Sequence, residues 1–232
     1  MQEIKDNINT ISQDIRDICI RTGKDPDSIT IIAVTKTIDP DRINCAIGCG
    51  IQNIGENKVQ EIMAKYENIE ENVNLHLIGH LQTNKVKYII DKVVLIHSVD
   101  SISLAKEIGR RAEKAGIVKN VLVQVNVAQE ETKYGIDYDE IDGFVQQLSQ
   151  LTGIKVMGLM TIAPYYEDVE LARPVFRRLK EKYDMLAKAD IPNVEMKYLS
   201  MGMTNDYKLA IEEGSNMVRI GTGIFGARNY NI

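Results

Sequence analysis

The sequence is poor in the residues that mark several specialised protein classes. It has no tryptophan, and only five prolines and three cysteines, among 232 residues. An odd number of cysteines without framework spacing argues against a disulfide scaffold and fits a reducing compartment. No run approaches the roughly 18 apolar residues of a membrane span, and the charged N-terminus MQEIKDNINT lacks the apolar segment of a secretory signal. We therefore expect a soluble cytoplasmic protein with no membrane partner.

An excess of basic charge is also missing. The chain has 28 Lys and Arg against 33 Asp and Glu, which gives a net charge of -5. Nucleic-acid-binding domains present a basic footprint, so this balance argues against a nucleic-acid partner. The hydrophobic fraction of 44% is ordinary for a globular protein, and the length supplies ample material for a core.

What the sequence does contain is a regular alternation of apolar runs with amphipathic segments. About eight runs have the composition of buried strands: 30–35, 51–55, 75–79, 93–99, 121–127, 154–162, 194–200 and 216–221. Strands that alternate with helices pair in parallel, and eight such units match a (β/α)8 TIM-type barrel. The alternative is an open doubly wound sheet, which usually has a glycine-rich turn after its first strand. The segment TKTIDPDR at that place has no glycine, so we predict the α/β barrel.

An extra helix is predicted ahead of the barrel. Isoleucines recur there at three- and four-residue spacing and form one apolar stripe: Ile4, Ile8, Ile11, Ile15 and Ile18. Such a stripe predicts a helix that packs on the outside of the barrel. No linker or low-complexity segment divides the chain. We therefore expect one domain over 1–232, in which 1–29 are the N-terminal helix and its lead-in.

Two cationic residues stand at places where this fold carries function. Lys36 follows the first predicted strand in IIAVTKT (31–37), and functional residues of a barrel lie at the C-terminal ends of its strands. It is either a nucleophile or a surface lysine of an ordinary loop. Arg219 lies in the eighth strand, and if it faces the interior it requires an internal salt bridge or an anionic ligand. Two cations near one rim favour the anionic ligand.

The loops after the seventh and eighth strands have the composition of an anion site. SMGMTND (200–206) and GTGIFGAR (221–228) each combine glycine, a hydroxyl residue and a helix start. Glycine lets backbone N–H groups approach a ligand, helix N-termini favour phosphate, and these two loops are the recurrent phosphate site of the barrel. Helix capping by Thr204 or Asn205 is the alternative. A phosphate beside a buried lysine suggests a phosphorylated aldehyde held as a Schiff base.

Several segments of the sequence carry motifs that occur together: AVTKT, IGENKVQE (54–61), HLIGHLQTNK (76–85), HSVDS (97–101), GLMTIAP (158–164), LSMGMTNDYKLAI (199–211) and VRIGTGIFGAR (218–228). From about residue 30 to the C-terminus the chain resembles the pyridoxal phosphate homeostasis proteins, also called the YggS or PROSC family. The fold of that family is similar to the N-terminal barrel of alanine racemase. Two departures are visible: Leu75 stands where the family often has tryptophan, and QEETKYG (129–135) stands in place of a GEE-S/T-K-x-G segment.

The resemblance implies a cofactor and the residues that hold it. Pyridoxal 5'-phosphate would be bound covalently by Lys36, with Asn57 near its ring and Arg219 facing its pyridine nitrogen. Four residues of the two loops would hold the phosphate: Ser200, Gly202, Gly221 and Thr222. An arginine opposite the pyridine nitrogen disfavours its protonation by like-charge repulsion, which argues against easy transamination or decarboxylation.

Three functions remain open at this point. The resemblance implies a monomeric, non-catalytic carrier in cofactor homeostasis, with apo forms of pyridoxal-phosphate-dependent enzymes as acceptors. A compact amino-acid racemase would need a second acid/base, and none is identified; we also expect no second domain, because the chain ends at Ile232. A barrel that binds another phosphorylated metabolite without a Schiff base is the third function. We favour the carrier.

No metal site is predicted. His76 and His80 are four residues apart and would share one face of a helix, but LHLIGH has the pattern of a strand. In a strand the two imidazoles lie roughly 13 Å apart along the axis, too far for one ion. We interpret His97 as structural or as part of the pocket rim, and Cys45 and Cys49 as packing residues. The pair Tyr165–Tyr166 could reach the rim, and nothing in the sequence gives it a role in proton transfer.

Overall fold

The computed structural model describes residues 1–130 and 133–227. Its strands are β1 (Thr30–Val34), β2 (Asn53–Glu56), β3 (Asn74–Leu77), β4 (Leu95–Val99), β5 (Lys119–Asn126), β6 (Ile136–Asp137), β7 (Ile154–Met160), β8 (Val194–Met203) and β9 (Met217–Ile220). Its α-helices are α1 (Gln2–Thr22), α2 (Pro40–Gly48), α3 (Val59–Lys65), α4 (Ile102–Lys114), α5 (Ile141–Ser149), α6 (Arg173–Ala187), α7 (Tyr207–Glu212) and α8 (Thr222–Phe225).

The strands close into a parallel barrel. Their spatial order is β4-β3-β2-β1-β9-β8-β7-β5, and β4 pairs with β5 to complete the ring. All the strand pairs of this ring are parallel, as in the register of Ile32 with Arg219 that joins β1 to β9. The predicted (β/α)8 fold is therefore confirmed. The short strand β6 adds to the edge of β5 outside the ring and was not predicted.

Two apolar layers sit on the two faces of the barrel wall. Successive side chains of a strand point to opposite faces, so each strand contributes to both layers. The inner layer is a small cluster: Ile32, Val34, Ile78, Leu95, Leu122, Met157, Met160 and Met217. The outer layer is much larger and joins the strands to the helices. Arg219 follows Met217 by two residues, so its side chain points to the inside, as the alternation predicts.

The predicted N-terminal helix is confirmed as α1. All five isoleucines of its stripe are buried. The helix ends at Gly23, whose φ of +67° is in the left-handed region that glycine adopts without strain. Polar contacts fix α1 beside the last helices: Tyr207 Oη donates to Asp14 Oδ2 at 2.7 Å, and Asn7 Nδ2 donates to the Ile224 carbonyl oxygen at 3.0 Å. The other face of α1 is polar, and no helix within the described residues is apolar enough over a sufficient length to cross a membrane.

The structure differs from the sequence-based boundaries mainly at β8. The predicted strand ends at residue 200, whereas β8 continues to Met203 through a register shift against β9. Between β3 and β4 the connection is a 3-10 segment, Thr83–Tyr88, in place of a full helix. The extension of β8 brings the segment after Met203 to the rim of the barrel, beside the end of β9.

Candidate functional site

A cavity of about 230 Å³ opens at the C-terminal ends of the strands. Residues that follow β1, β7, β8 and β9 line it. Those with chemical groups for binding include Lys36, Tyr166, Thr204, Asp206, Arg219 and Thr222. The closed parallel barrel brings these residues together, because the C-terminal ends of all its strands meet at one rim.

Lys36 is carried by a tight turn that follows β1 directly. The Thr35 N–H donates to the Gly55 carbonyl oxygen of β2 at 2.9 Å, and the Ile38 N–H donates back to the Thr35 carbonyl oxygen at 3.0 Å. Lys36 is the second residue of this turn. Thr37 is the third, with a φ of +63°, the sign that a type II turn requires at that position. A β-branched residue in this region is strained by about 1–3 kcal/mol, so the surroundings must hold the turn.

Arg219 places a buried cation at the floor of the cavity. Its side chain is 3% exposed. Nη1 donates to Ser200 Oγ at 2.6 Å and Nη2 donates to the Thr161 carbonyl oxygen at 2.8 Å. Burial lowers the pKa of Arg219 to about 10, against the raising effect of Asp206, so the guanidinium stays charged near neutral pH. Within the described part of the chain no carboxylate lies at ion-pair distance from it, and a buried cation of this kind attracts an anionic ligand.

A chain of buried hydrogen bonds continues from Arg219 across the barrel interior. Ser200 Oγ lies 3.2 Å from His97 Nδ1, His97 Nε2 lies 3.0 Å from His76 Nδ1, and His76 Nε2 lies 3.2 Å from Asn53 Oδ1. Because a guanidinium can only donate hydrogen bonds, Ser200 Oγ accepts one from Arg219. The Ser200 hydroxyl is then free to donate its proton in a hydrogen bond to His97 Nδ1. Each imidazole then accepts at Nδ1 and donates at Nε2, and the chain ends on the amide oxygen of Asn53.

The two imidazoles of this hydrogen-bond network, His76 and His97, are neutral. Burial lowers the pKa of His76 to about 4, and burial lowers the pKa of His97 well below its ordinary value, with the proximity of His76 and Arg219 acting in the same direction. His97 was interpreted from the sequence as structural or as a rim residue; the structure shows it fully buried, where it connects Ser200 to His76.

The loops after β8 and β9 meet at one oxygen atom. The backbone N–H groups of Gly221 and Gly223 donate to Thr204 Oγ1 at 3.3 Å and 3.2 Å. A Cβ atom on Gly223 would lie 2.9 Å from Ile220 Cγ2 and 3.1 Å from Thr204 Cγ2, so only glycine fits there. Two N–H groups that converge on one oxygen form the kind of arrangement that binds an oxyanion.

The structure brings four of the seven predicted site residues together. Lys36, Arg219, Gly221 and Thr222 line the cavity. The other three lie outside its lining: Asn57, Ser200 and Gly202.

Each residue outside the lining has a contact that explains its place. Asn57 follows β2, and its backbone packs so closely on Gly79 that a Cβ there would lie 2.4 Å from the Asn57 carbonyl oxygen. Ser200 is fully buried behind the cavity, beside Arg219. Gly202 has a φ of +92° and packs on α7, where a Cβ would lie 2.6 Å from Ala210 Cβ.

The sequence analysis gives no individual binding role to three polar residues of the cavity: Thr204, Asn205 and Asp206. It names Thr204 and Asn205 only as helix caps, although both belong to the same SMGMTND segment as the predicted anion loop. Asp206 was not considered; it is 8% exposed, and its Oδ1 accepts from the Met203 N–H at 2.6 Å. Burial raises the pKa of Asp206, while the Met203 N–H and the Arg219 charge lower it.

The remaining histidine lies elsewhere on the rim. His80 stacks on Tyr134, with ring centroids 3.9 Å apart, and its Nδ1 lies 3.6 Å from Asp100 Oδ2. It shares no contact with His76, which points into the barrel. Over residues 1–130 and 133–227, no group of three or more His, Cys, Asp or Glu side chains is placed to hold a metal ion.

A larger cavity, of about 470 Å³, lies on the outside of the barrel near the connection between α3 and β3. Ile54 and Leu75 form part of its wall, and three carboxylates stand around it against one ammonium group: Glu67, Glu70, Glu71 and Lys92. This negative balance disfavours a phosphate. The cavity that contains Lys36 and Arg219 is the better anion site despite its smaller volume.

Comparison with known proteins identifies the family. The model of the alanine racemase N-terminal domain matches residues 3–229. A pyridoxal phosphate homeostasis protein from Aquifex aeolicus is 44% identical over 226 residues, which cover 97% of this chain and 98% of that protein. The chain belongs to the pyridoxal phosphate homeostasis protein family. Its relative of that name in Escherichia coli K12 is 34% identical and covers 100% of this chain, with 99% of its own length matched.

Solved structures agree with this family membership. PipY of Synechococcus elongatus with pyridoxal phosphate bound has a TM-score of 0.82 at 31% identity, covering 96% of this chain and 100% of that chain. Alanine racemase of Clostridium difficile has a TM-score of 0.74 at 16% identity, covering 100% of this chain and 58% of that chain. At that low identity the racemase shares the fold, and the likeness carries no statement about activity.

Proposed function

We propose that this chain binds pyridoxal 5'-phosphate reversibly and takes part in cofactor homeostasis, as the names of its relatives suggest. The observation that carries the proposal is the meeting of Lys36, the buried Arg219 and two glycine-containing loops at one cavity. The bound pyridoxal phosphate in PipY, a structure at 31% identity, supports the same ligand.

The residues of the cavity fit the chemistry of this cofactor. Arg219 supplies a buried positive charge, and it donates hydrogen bonds to two neutral oxygens, Ser200 Oγ and the Thr161 carbonyl oxygen. Thr204 already places an oxygen where two backbone N–H groups converge, which is the donor arrangement that a phosphate requires. Lys36 supplies an amine on a short turn that is hydrogen-bonded to the sheet. The donor set therefore matches a phosphorylated aldehyde better than a neutral metabolite.

We assign the roles of the residues on that basis. When bound, the cofactor supplies an aldehyde that a lysine amine can hold as a Schiff base with loss of water. Lys36 is the amine, and Arg219 faces the ring nitrogen. The hydroxyls of Thr222 and Thr204 would hold the phosphate, and the N–H of Gly221, which here donates to Thr204 Oγ1 at 3.3 Å, would turn to the ligand.

The three residues outside the lining receive supporting roles. Asn57 borders the ring from the end of β2. Ser200 contacts Arg219, so we assign it the role of orienting the guanidinium. Gly202 packs closely on α7, so we assign it the role of setting the shape of the loop after β8.

We further propose that the protein is a cytoplasmic monomer that holds its cofactor without turnover and releases it to apo-enzymes. Water reverses a Schiff base, so reversible holding needs only the lysine, the anion site and an open mouth. A racemase needs in addition a second acid/base on the far face of its substrate. The cavity reaches the protein surface at Tyr165, which lines it and is 79% exposed.

Spectroscopic titration with pyridoxal phosphate tests the proposal. The wild-type protein should develop a visible chromophore, and borohydride should fix the label on a peptide that contains Lys36. The Lys36→Ala variant should keep its fold, because the change removes a rim cation and no core residue, and should lose the chromophore. A label on another lysine, or a chromophore that survives in the variant, would refute the assignment.

A further inference from the structure

Charged side chains of α3 and β2 meet at the turn that follows β1. Lys65, the last residue of α3, donates from Nζ to the Thr35 carbonyl oxygen at 2.9 Å, to Glu56 Oε1 at 2.8 Å and to Glu61 Oε2 at 2.8 Å. The Thr35 hydroxyl donates to the same Glu56 oxygen at 2.8 Å. The Lys65 and Glu56 side chains are 12% and 1% exposed. These contacts fix the first residue of the turn to both neighbouring elements.

Glu61 contacts the strained residue of the turn directly. The backbone N–H of Thr37 donates to Glu61 Oε2 at 2.7 Å. Thr37 has the positive φ that L-residues rarely adopt and that a β-branched residue adopts only under constraint. The bond orients the N–H that the left-handed conformation turns toward α3. Without this bond, no hydrogen bond from α3 would offset the strain of the left-handed conformation of Thr37.

The contacts of Glu61 favour its carboxylate form. Partial burial works to raise the pKa of Glu61, but hydrogen bonds from Lys65 and from the Thr37 N–H lower it overall. Burial raises the pKa of Glu56, and its Oε2 atom has no hydrogen-bond partner among the described residues. Lys65 therefore faces a carboxylate at Glu61, and their ion pair holds the Glu61 oxygen in place for Thr37.

We propose that Glu61, held by Lys65, is a positioning residue that keeps Lys36 directed at the cavity by fixing Thr37 in its left-handed conformation. The inference rests on the proposed role of Lys36 as the cofactor lysine. It adds a residue on α3 that touches neither the cavity nor the cofactor and that acts through the backbone next to the reacting amine.

The test compares Glu61→Ala with Glu107→Ala. Glu107 is a matched control, because it also forms an i,i+4 ion pair on a helix, with Arg111, and is 19% exposed against 22% for Glu61. Glu61→Ala should weaken pyridoxal phosphate binding by about tenfold or more, the equivalent of one lost hydrogen bond to a charged group. Glu107→Ala should bind as the wild type does. Adding Thr37→Gly to Glu61→Ala should restore most of the affinity, because glycine adopts positive φ without strain.

Hydrogen exchange of the Thr37 amide in the cofactor-free protein provides a readout that does not depend on the ligand. It should quicken by about tenfold in Glu61→Ala and stay unchanged in Glu107→Ala. Equal binding by Glu61→Ala and Glu107→Ala would overturn the proposal, as would a loss that Thr37→Gly does not repair. A wild-type protein that shows the protected Thr37 amide but never forms the chromophore would instead overturn the proposed function and leave the turn contact standing.

Discussion

At the residue scale, the sequence was most informative about the two cations. Lys36 and Arg219 were selected because one ends a core strand and the other lies inside one, and both line the same cavity. The phosphate residues were harder to select, because glycine and hydroxyl residues also serve turns and packing. Gly202 illustrates the difficulty: its positive φ and its contact with Ala210 give it a packing role that the sequence alone cannot separate from anion binding.

Thr222 offers a test of the phosphate loops at this scale. Its replacement by alanine removes a hydroxyl donor to an anion, a bond typically worth about 1.5–3 kcal/mol. The affinity for pyridoxal phosphate should fall by roughly one to two orders of magnitude. Pyridoxal, which lacks the phosphate, should bind almost equally to variant and wild type. Thr10→Ala, on the exposed face of α1, serves as the control, and equal losses for both ligands would show that the loop does not hold the phosphate.

At the scale of elements, the buried hydrogen-bond network joins β2, β3, β4, β8 and β9 through the barrel interior. Sequence patterns showed that these strands exist and which residues alternate inward. They could not show that His76 bonds to His97, because that contact depends on the register between neighbouring strands and on the ring orientations. Register within a closed barrel is a tertiary property, and this is the physical reason why the network was not predicted.

The neutral state of His76 predicts a pH dependence of stability. Its pKa is lowered from 6.5 to about 4 in the folded protein, so between these values the unfolded chain binds more protons than the folded one. The contribution is therefore fully present above the unfolded pKa and is lost as pH falls toward the folded pKa. As the pH is lowered from about 7 to about 4.5, the free energy of unfolding should decrease by about 2–3 kcal/mol because of His76 alone.

Urea unfolding of wild type and His76→Gln at several pH values measures this contribution. The variant should be less stable at neutral pH, because it disturbs the chain to His97, but its unfolding free energy should fall less steeply as the pH is lowered. An unchanged slope in His76→Gln would mean that His76 is not held neutral by the fold.

At the scale of the whole molecule, the alternation of strand and helix patterns was sufficient to predict the barrel and the helix ahead of it. Eight apolar runs separated by amphipathic segments are compatible with few topologies. A closed parallel ring gives each of the eight strands two neighbours. The short strand β6 and the 3-10 segment Thr83–Tyr88 escaped prediction, because elements of a few residues carry too little periodicity to be detected.

The central claim, that Lys36 holds the cofactor reversibly and without turnover, is tested most directly by cofactor transfer. The holo-protein is mixed with a pyridoxal-phosphate-dependent apo-enzyme, and the recovered activity of that enzyme is followed, with borohydride-reduced holo-protein as the control that cannot release its cofactor. The same samples are assayed for racemisation of a panel of chiral amino acids. We predict transfer from the untreated protein, none from the reduced protein, and racemisation no faster than background. Sustained racemisation that disappears in Lys36→Ala, or failure of the untreated protein to transfer its cofactor, would contradict the account.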